Sequence, residues 1–252
     1  MKKIVKAKKY KDKLEIKKFF NENGWIAIKS EISKKEIKLI QSDFDKLTSK
    51  FIKMNFNAGV KKLDKIDKKK LFSLQRCLEK SLSLSLLSNT FLPRVQNLNN
   101  SNSPVFCLDQ SILLGIPKDT RLVYNYHQES NFMKGFEDII NVHYPIFYNT
   151  NLKNGTMSAL SKTHKLGNLK YNKKRKANNS YTDLVPENIS KLKKHYEEIY
   201  FELELGDVLY FHKDLIHKSN YNMSSNTRPV GIFRLTQSIE KGEIGRQNPS
   251  DL

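Results

Sequence analysis

No apolar stretch in these 252 residues approaches the roughly 20 needed to cross a bilayer, so no membrane span is expected. The first residues, Met1-Lys2-Lys3-Ile4-Val5-Lys6, are basic but have no apolar stretch behind them, so no signal peptide is expected either. Cysteine is nearly absent. Cys77 and Cys107 cannot make a disulfide framework, and a reducing, cytoplasmic setting is the simpler reading. Arginine is also scarce, supplying seven of the 45 basic residues. The formal net charge of +19 points to an anionic partner of some kind. Proteins that read nucleic acid, however, use the bidentate fork of Arg, and here lysine dominates. No helix-turn-helix, zinc-finger or stacking-platform pattern is present. Lysine-rich solvated faces account for most of the charge, and nucleic acid is not expected as a partner.

What is present is a change of texture along the chain. Residues 1–13 are Lys-rich and read as a frayed tail or a poorly ordered helix start. Tyr10, Leu14 and Phe19/Phe20 suggest a short amphipathic helix ending near Gly24, and residues 24–28 read as a strand. Ser33-Lys34-Lys35-Glu36 has the form of a capping box. Ile37, Ile40, Phe44, Leu47 and Phe51 follow it at helical spacing. A further helix is expected over 67–88 and an Asn- and Ser-rich loop over 95–103. Beyond about residue 104, Val-, Ile-, Tyr-, Phe- and Leu-rich segments at 104–115, 121–128, 138–148, 198–204, 207–212 and 229–236 predict short strands. Residues 168–180, with Lys173-Lys174-Arg175-Lys176, read as a basic loop inserted between strands. It is either a solvated loop or a lid that attracts negative charge. With no repeat and no linker, the expectation is one domain over 1–252, a mainly β sandwich or barrel buttressed by N-terminal helices.

His127-Gln128-Glu129 is the most informative short pattern. In extended chain, residues i and i+2 point the same way, so an imidazole and a carboxylate can converge while Gln128 turns aside. The spacing alone fits either a surface hydrogen-bonded pair or two ligands of a metal completed from elsewhere. Two His and one carboxylate make the facial triad of non-haem Fe(II) oxygenases. Among the other histidines, His143 and His212 lie on apolar strands and read as core residues. His164 reads as a rim residue, and His195 as a solvated one on a Lys-rich helix. Arg234 reads as a structural ion pair.

Several blocks in order, Asn23-Gly24-Trp25, His127-Gln128-Glu129, Asn154-Gly155 leading to Thr163-His164-Lys165, Gly206-Asp207, and His217-x-Ser219 with Arg228, resemble the phytanoyl-CoA dioxygenase-like family of 2-oxoglutarate oxygenases. The resemblance covers about residues 20–50 and 105–236. It implies a double-stranded β-helix (jelly-roll, cupin-like) core with Fe(II) as metal and 2-oxoglutarate as cosubstrate. His127, Glu129 and His217 match the metal ligands, and Arg228 with Ser219 matches the site for the far carboxylate of 2-oxoglutarate. Tyr144 matches an aromatic residue near the cosubstrate, and Gln110 a substrate contact. The implied activity is hydroxylation of a small-molecule or carrier-linked substrate, with the basic balance favouring an anionic one. Glu129 departs from the commoner His-x-Asp, although the presence of a carboxylate argues against a halogenase. Two other readings remain: a non-catalytic jelly roll with a degenerate metal site, and a basic nucleic-acid-binding module.

Overall fold

A computed structural model describes residues 2–119, 123–175 and 182–238. The chain opens on strand β1 (Lys3–Lys6), then helix α1 (Lys13–Asn23) and strand β2 (Trp25–Ile28). Asp12 caps α1, and Gly24 ends it in the left-handed conformation (φ 78°) that glycine adopts without strain. A layer of four helices follows: α2 (Lys34–Phe51), α3 (Phe56–Ile66), α4 (Lys68–Glu79) and α5 (Leu82–Asn99). The capping box forms as expected, with Ser33 and Glu36 each accepting from the other's backbone amide. The helix expected over 67–88 is in fact two helices, broken at Lys80–Ser81. The loop expected at 95–103 begins only after Asn99, because Val95 and Leu98 are buried and keep α5 helical.

The β region supplies β3 (Phe106–Gly115), β4 (Ile140–Pro145), β5 (Ser158–Leu160), β6 (Tyr171–Arg175), β7 (Thr182–Pro186), helix α6 (Ile189–His195), β8 (Glu198–Glu202), β9 (Val208–His212), β10 (His217–Lys218) and β11 (Arg228–Thr236). One sheet has the order β2-β9-β4-β11-β3 and a second β1-β8-β5-β10. The basic segment beginning at 168 is not simply a loop: β6 and β7 pair antiparallel as a separate hairpin, and 176–181 lie outside the described residues. The expected strand at 121–128 does not form over its described residues, 123–128. Among the described residues there, His127 makes a single bridge to His217. Residues 3–6 are not a frayed tail. They pair in parallel with β8, and Lys8 then bridges to Ile28, tying the edges of the two sheets together.

Alternation in the strands builds two apolar layers. Ile26, Ile28, Ile112, Leu114, Ile140, Val142, Tyr144, Val208, Tyr210, Phe233 and Leu235 face the helices and bury with Phe44, Phe56, Leu74 and Phe91. Their neighbours Trp25, Ala27, Leu209 and Phe211 face the other sheet and pack on Ala159, Ile199 and Phe201. The result is the expected jelly roll, with helices on the outer face of the larger sheet. Asn141, His143, Arg228 and Arg234 share the inward phase, so four polar side chains enter the space between the sheets.

Candidate metal centre

His127 and His217 are locked by backbone before any metal is considered. The two residues exchange amide-to-carbonyl hydrogen bonds (3.0 and 3.1 Å), so their side chains emerge together, with ring centroids 4.2 Å apart. Each ring is also turned by its Nδ1. That of His127 lies 2.6 Å from the Asn125 carbonyl, and that of His217 2.9 Å from the Leu215 carbonyl. Fixing Nδ1 as donor leaves both Nε2 atoms as free acceptors, the arrangement that outer hydrogen bonds give to ligating histidines. Glu129 starts a short 3-10 turn, its amide donating to the Lys213 carbonyl (2.8 Å), and its Oε2 stands 3.8 Å from His217 Nε2. Gln128 turns aside as expected. Its amide nitrogen donates to the carbonyls of Gly167 and Asp214, and its oxygen accepts from Leu169.

One ligand atom from each of His127, Glu129 and His217 lies within 4.8 Å of the others, with both Glu129 and His217 buried. Burial, then the neighbouring His127, holds the His217 imidazole down at about 3, so its lone pair is available at neutral pH. Burial alone would raise the Glu129 carboxyl, but Arg234 and the two histidines outweigh it and keep the group ionised. This donor set, two imidazoles and a carboxylate, suits a divalent transition metal such as Fe(II).

Arg228 lies on the inward face of β11, opposite Gly115 on β3. A Cβ at position 115 would stand 2.9 Å from a guanidinium nitrogen, so the absent side chain leaves room for the cation. The guanidinium donates to the Asn154 carbonyl (2.8 Å) but has no ion-pair partner among the described residues. Burial lowers its pKa only to about 10, so it stays charged at neutral pH. Close enough to feel its charge, His143 Nδ1 is buried without a hydrogen-bond partner. A buried cation with no acidic partner among the described residues and an unsatisfied polar neighbour is a site prepared for an anion. Ser219 follows His217 by two residues, half-buried, with its amide donating to the Tyr124 carbonyl.

Two of the expected site residues point elsewhere. Tyr144 faces the helices, packing on Phe91 and Phe233 over Gly231. Gln110 pairs with Phe233 on the same outer face and donates to the Glu79 carbonyl. Neither side chain enters the space between the sheets. His143, expected to be a core residue, does enter it, and His195 is exposed as expected.

A family model for phytanoyl-CoA dioxygenase matches residues 20–230. The chain belongs to the phytanoyl-CoA dioxygenase family. It is thus a 2-oxoglutarate-dependent, non-haem iron oxygenase by class. No curated protein matches it. Among solved structures, it resembles the α-ketoglutarate-dependent carbocyclase SnoK from nogalamycin biosynthesis, at 13% identity and a TM-score of 0.62, over 91% of this chain and 86% of that one. EctD from S. alaskensis with 2-oxoglutarate and 5-hydroxyectoine also matches, at 13% identity and TM-score 0.59, over 96% and 87% of the two chains. The epimerase SnoN in complex with Fe3+ and α-ketoglutarate matches at 10% identity and TM-score 0.59, over 92% and 87%. At such identities these likenesses establish the jelly-roll fold.

His143 gives this family member a pH signature. Burial, then Arg228, lowers its pKa to about 3, so the folded imidazole stays neutral while the unfolded one protonates below roughly 6.5. The unfolded state therefore takes up the extra proton, and stability falls as pH drops from about 6.5 toward 3. The slope is about 1.4 kcal/mol per pH unit, or about 2 kcal/mol by pH 5. Urea unfolding of metal-free protein at pH 7 and pH 5 should show His143→Gln losing less stability on acidification than wild type, by about that amount. Identical losses would refute the assignment.

Proposed function

We propose that the protein hydroxylates a small-molecule or carrier-linked substrate, with iron on His127, Glu129 and His217 and the far carboxylate of 2-oxoglutarate on Arg228, assisted by Ser219. The observation that carries this reading is Arg228, a buried guanidinium without a counter-ion among the described residues that shares an interior with the His-Glu-His cluster. A planar fork meets a carboxylate with two parallel hydrogen bonds, and a dry site strengthens both.

Each part of the chain then has a task. The Asn125 and Leu215 carbonyls hold the imidazoles with Nε2 inward, and Arg228 orients the cosubstrate from its far end. The apolar interface around Phe211 and Phe201 excludes water. When bound, iron with 2-oxoglutarate and dioxygen supplies the oxidising power to convert a C–H bond to an alcohol, releasing succinate and carbon dioxide. The protein supplies position and electrostatics.

An anionic substrate is supported by the net charge of +19 and by the basic hairpin strand at Tyr171–Arg175. The structure of EctD with 5-hydroxyectoine gives a hydroxylated small molecule as precedent in a similar fold. The test is succinate release from 2-oxoglutarate by the anaerobically reconstituted Fe(II) protein on admission of oxygen, first alone and then against a panel of neutral and anionic metabolites. Slow uncoupled release, accelerated by some anionic member of the panel, is expected. No metal uptake and no succinate would instead favour a non-catalytic jelly roll.

A further inference from the structure

Arg234 was expected to form a structural ion pair, and it does, but with a residue of the metal cluster. Its Nε lies 2.8 Å from Oε1 of Glu129. Its Nη1 pairs with Asp109 and donates to Ser111 Oγ (3.2 Å). Asp109 is the direct partner of Arg234 in the β3–β11 register, and the pairing slips by one residue immediately after Arg234. A bulge of this kind re-aims the side chain beside it. The guanidinium is therefore held between two carboxylates and a hydroxyl, and its side chain is only 17% exposed. It is not available to a substrate anion.

We propose that Arg234 is a positioning residue that clamps Oε1 of Glu129 and so leaves Oε2 as the single ligating oxygen, allowing a glutamate to serve where a shorter carboxylate is commoner. This inference rests on the metal reading proposed above. Glutamate has one more rotatable bond than aspartate. An unheld carboxylate on that longer arm can swing away from the metal or offer it both oxygens. With Oε1 occupied, Oε2 is the atom turned toward His217 Nε2, at 3.8 Å. The clamp does not cancel the ligand's charge, because Asp109 supplies the second carboxylate. The trio of Glu129, Arg234 and Asp109 keeps one net negative charge, as a lone carboxylate would.

The test is a coupling measurement using Co(II) as the probe metal. Arg234→Met and Arg234→Lys are made in the native chain and in Glu129→Asp. Co(II) affinity is measured by anaerobic calorimetry, the ligand field by visible absorption, and folding by circular dichroism. In the native background, Arg234→Met should weaken Co(II) binding about 10- to 100-fold, the range typical for loss of a group that orients a metal ligand, and should alter the Co(II) spectrum. Arg234→Lys, which keeps the charge but not the fork, should fall between. With Asp at 129, whose short arm restrains itself, the same substitutions should cost at most a few-fold. Equal losses in both backgrounds would mean a general structural role and overturn the proposal, as would unchanged affinity in the native one. If Arg234→Met does not fold, Arg234→Lys carries the comparison on the same terms. Failure of the wild-type protein to bind Co(II) would overturn the metal reading itself, before any variant is compared.

Discussion

His217→Ala is expected to abolish Fe(II)-dependent succinate release and to raise the dissociation constant for Fe(II) or Co(II) by more than about 100-fold. Groups that only orient a metal ligand are typically worth 10- to 100-fold in metal affinity, and this substitution deletes a ligand. The substitution removes the buried imidazole but not the backbone exchange with His127, which uses only amides and carbonyls. The bridge between β10 and the His127 segment should therefore survive, and loss of activity should not reflect unfolding. Two readouts separate the outcomes. Metal should raise the unfolding temperature of the wild type by mass action, and it should leave that of the variant unchanged. Calorimetry should show loss of binding while the circular dichroism of the metal-free variant matches wild type. Retained metal-dependent turnover would remove His217 from the ligand set.

How much of this site was legible in the sequence depends on which strand face could be phased. His127, Glu129 and Gln128 were readable because a two-residue spacing carries its own geometry, and a buried Gln128 confirms the phase. Tyr144 and Gln110 were placed near cosubstrate and substrate by the family resemblance, and the alternation of their strands offered no check on which face each side chain takes. Ile140–Pro145 reads as unbroken burial, so alternation gives no inside or outside. On β3, Asp109, Gln110 and Ser111 are all polar, and only the register against β11 shows that Gln110 lies with Phe233 while Asp109 lies with Arg234. One signal was available. Once Arg228 is placed inward, Arg234, six residues on in the same strand, must point inward too. The N-terminal strand was invisible for a different reason: Lys3–Lys6 has no apolar pattern, and it is held by edge pairing with β8, which no local sequence encodes. Continuation of α5 past 95 was likewise set by tertiary burial of Val95 and Leu98 rather than by local propensity.

Arg228→Met is expected to weaken 2-oxoglutarate binding by two to three orders of magnitude while leaving the ligand-free protein at least as stable as wild type. The two halves of this expectation have the same cause. In the absence of an anion, Arg228 is buried with no acidic partner among the described residues, and its one described hydrogen bond runs from Nε to the Asn154 carbonyl. That bond is worth about 1 kcal/mol net, whereas desolvating an unpaired guanidinium costs several. An apolar side chain of similar length should remove the larger cost and lose only the smaller gain. With 2-oxoglutarate bound the balance reverses. The substitution then leaves a buried carboxylate unpaired, at a cost of about 3–5 kcal/mol, and each 1.4 kcal/mol is a factor of ten in affinity. The KM for 2-oxoglutarate should rise far more than kcat falls, because the far carboxylate is held equally before and during reaction. The stabilisation that 2-oxoglutarate confers on the wild type in a thermal melt should vanish in the variant. Unchanged cosubstrate affinity would detach Arg228 from 2-oxoglutarate. A large loss of stability in the ligand-free variant would make the residue a structural element instead, because only a cation already compensated in the resting protein is costly to remove.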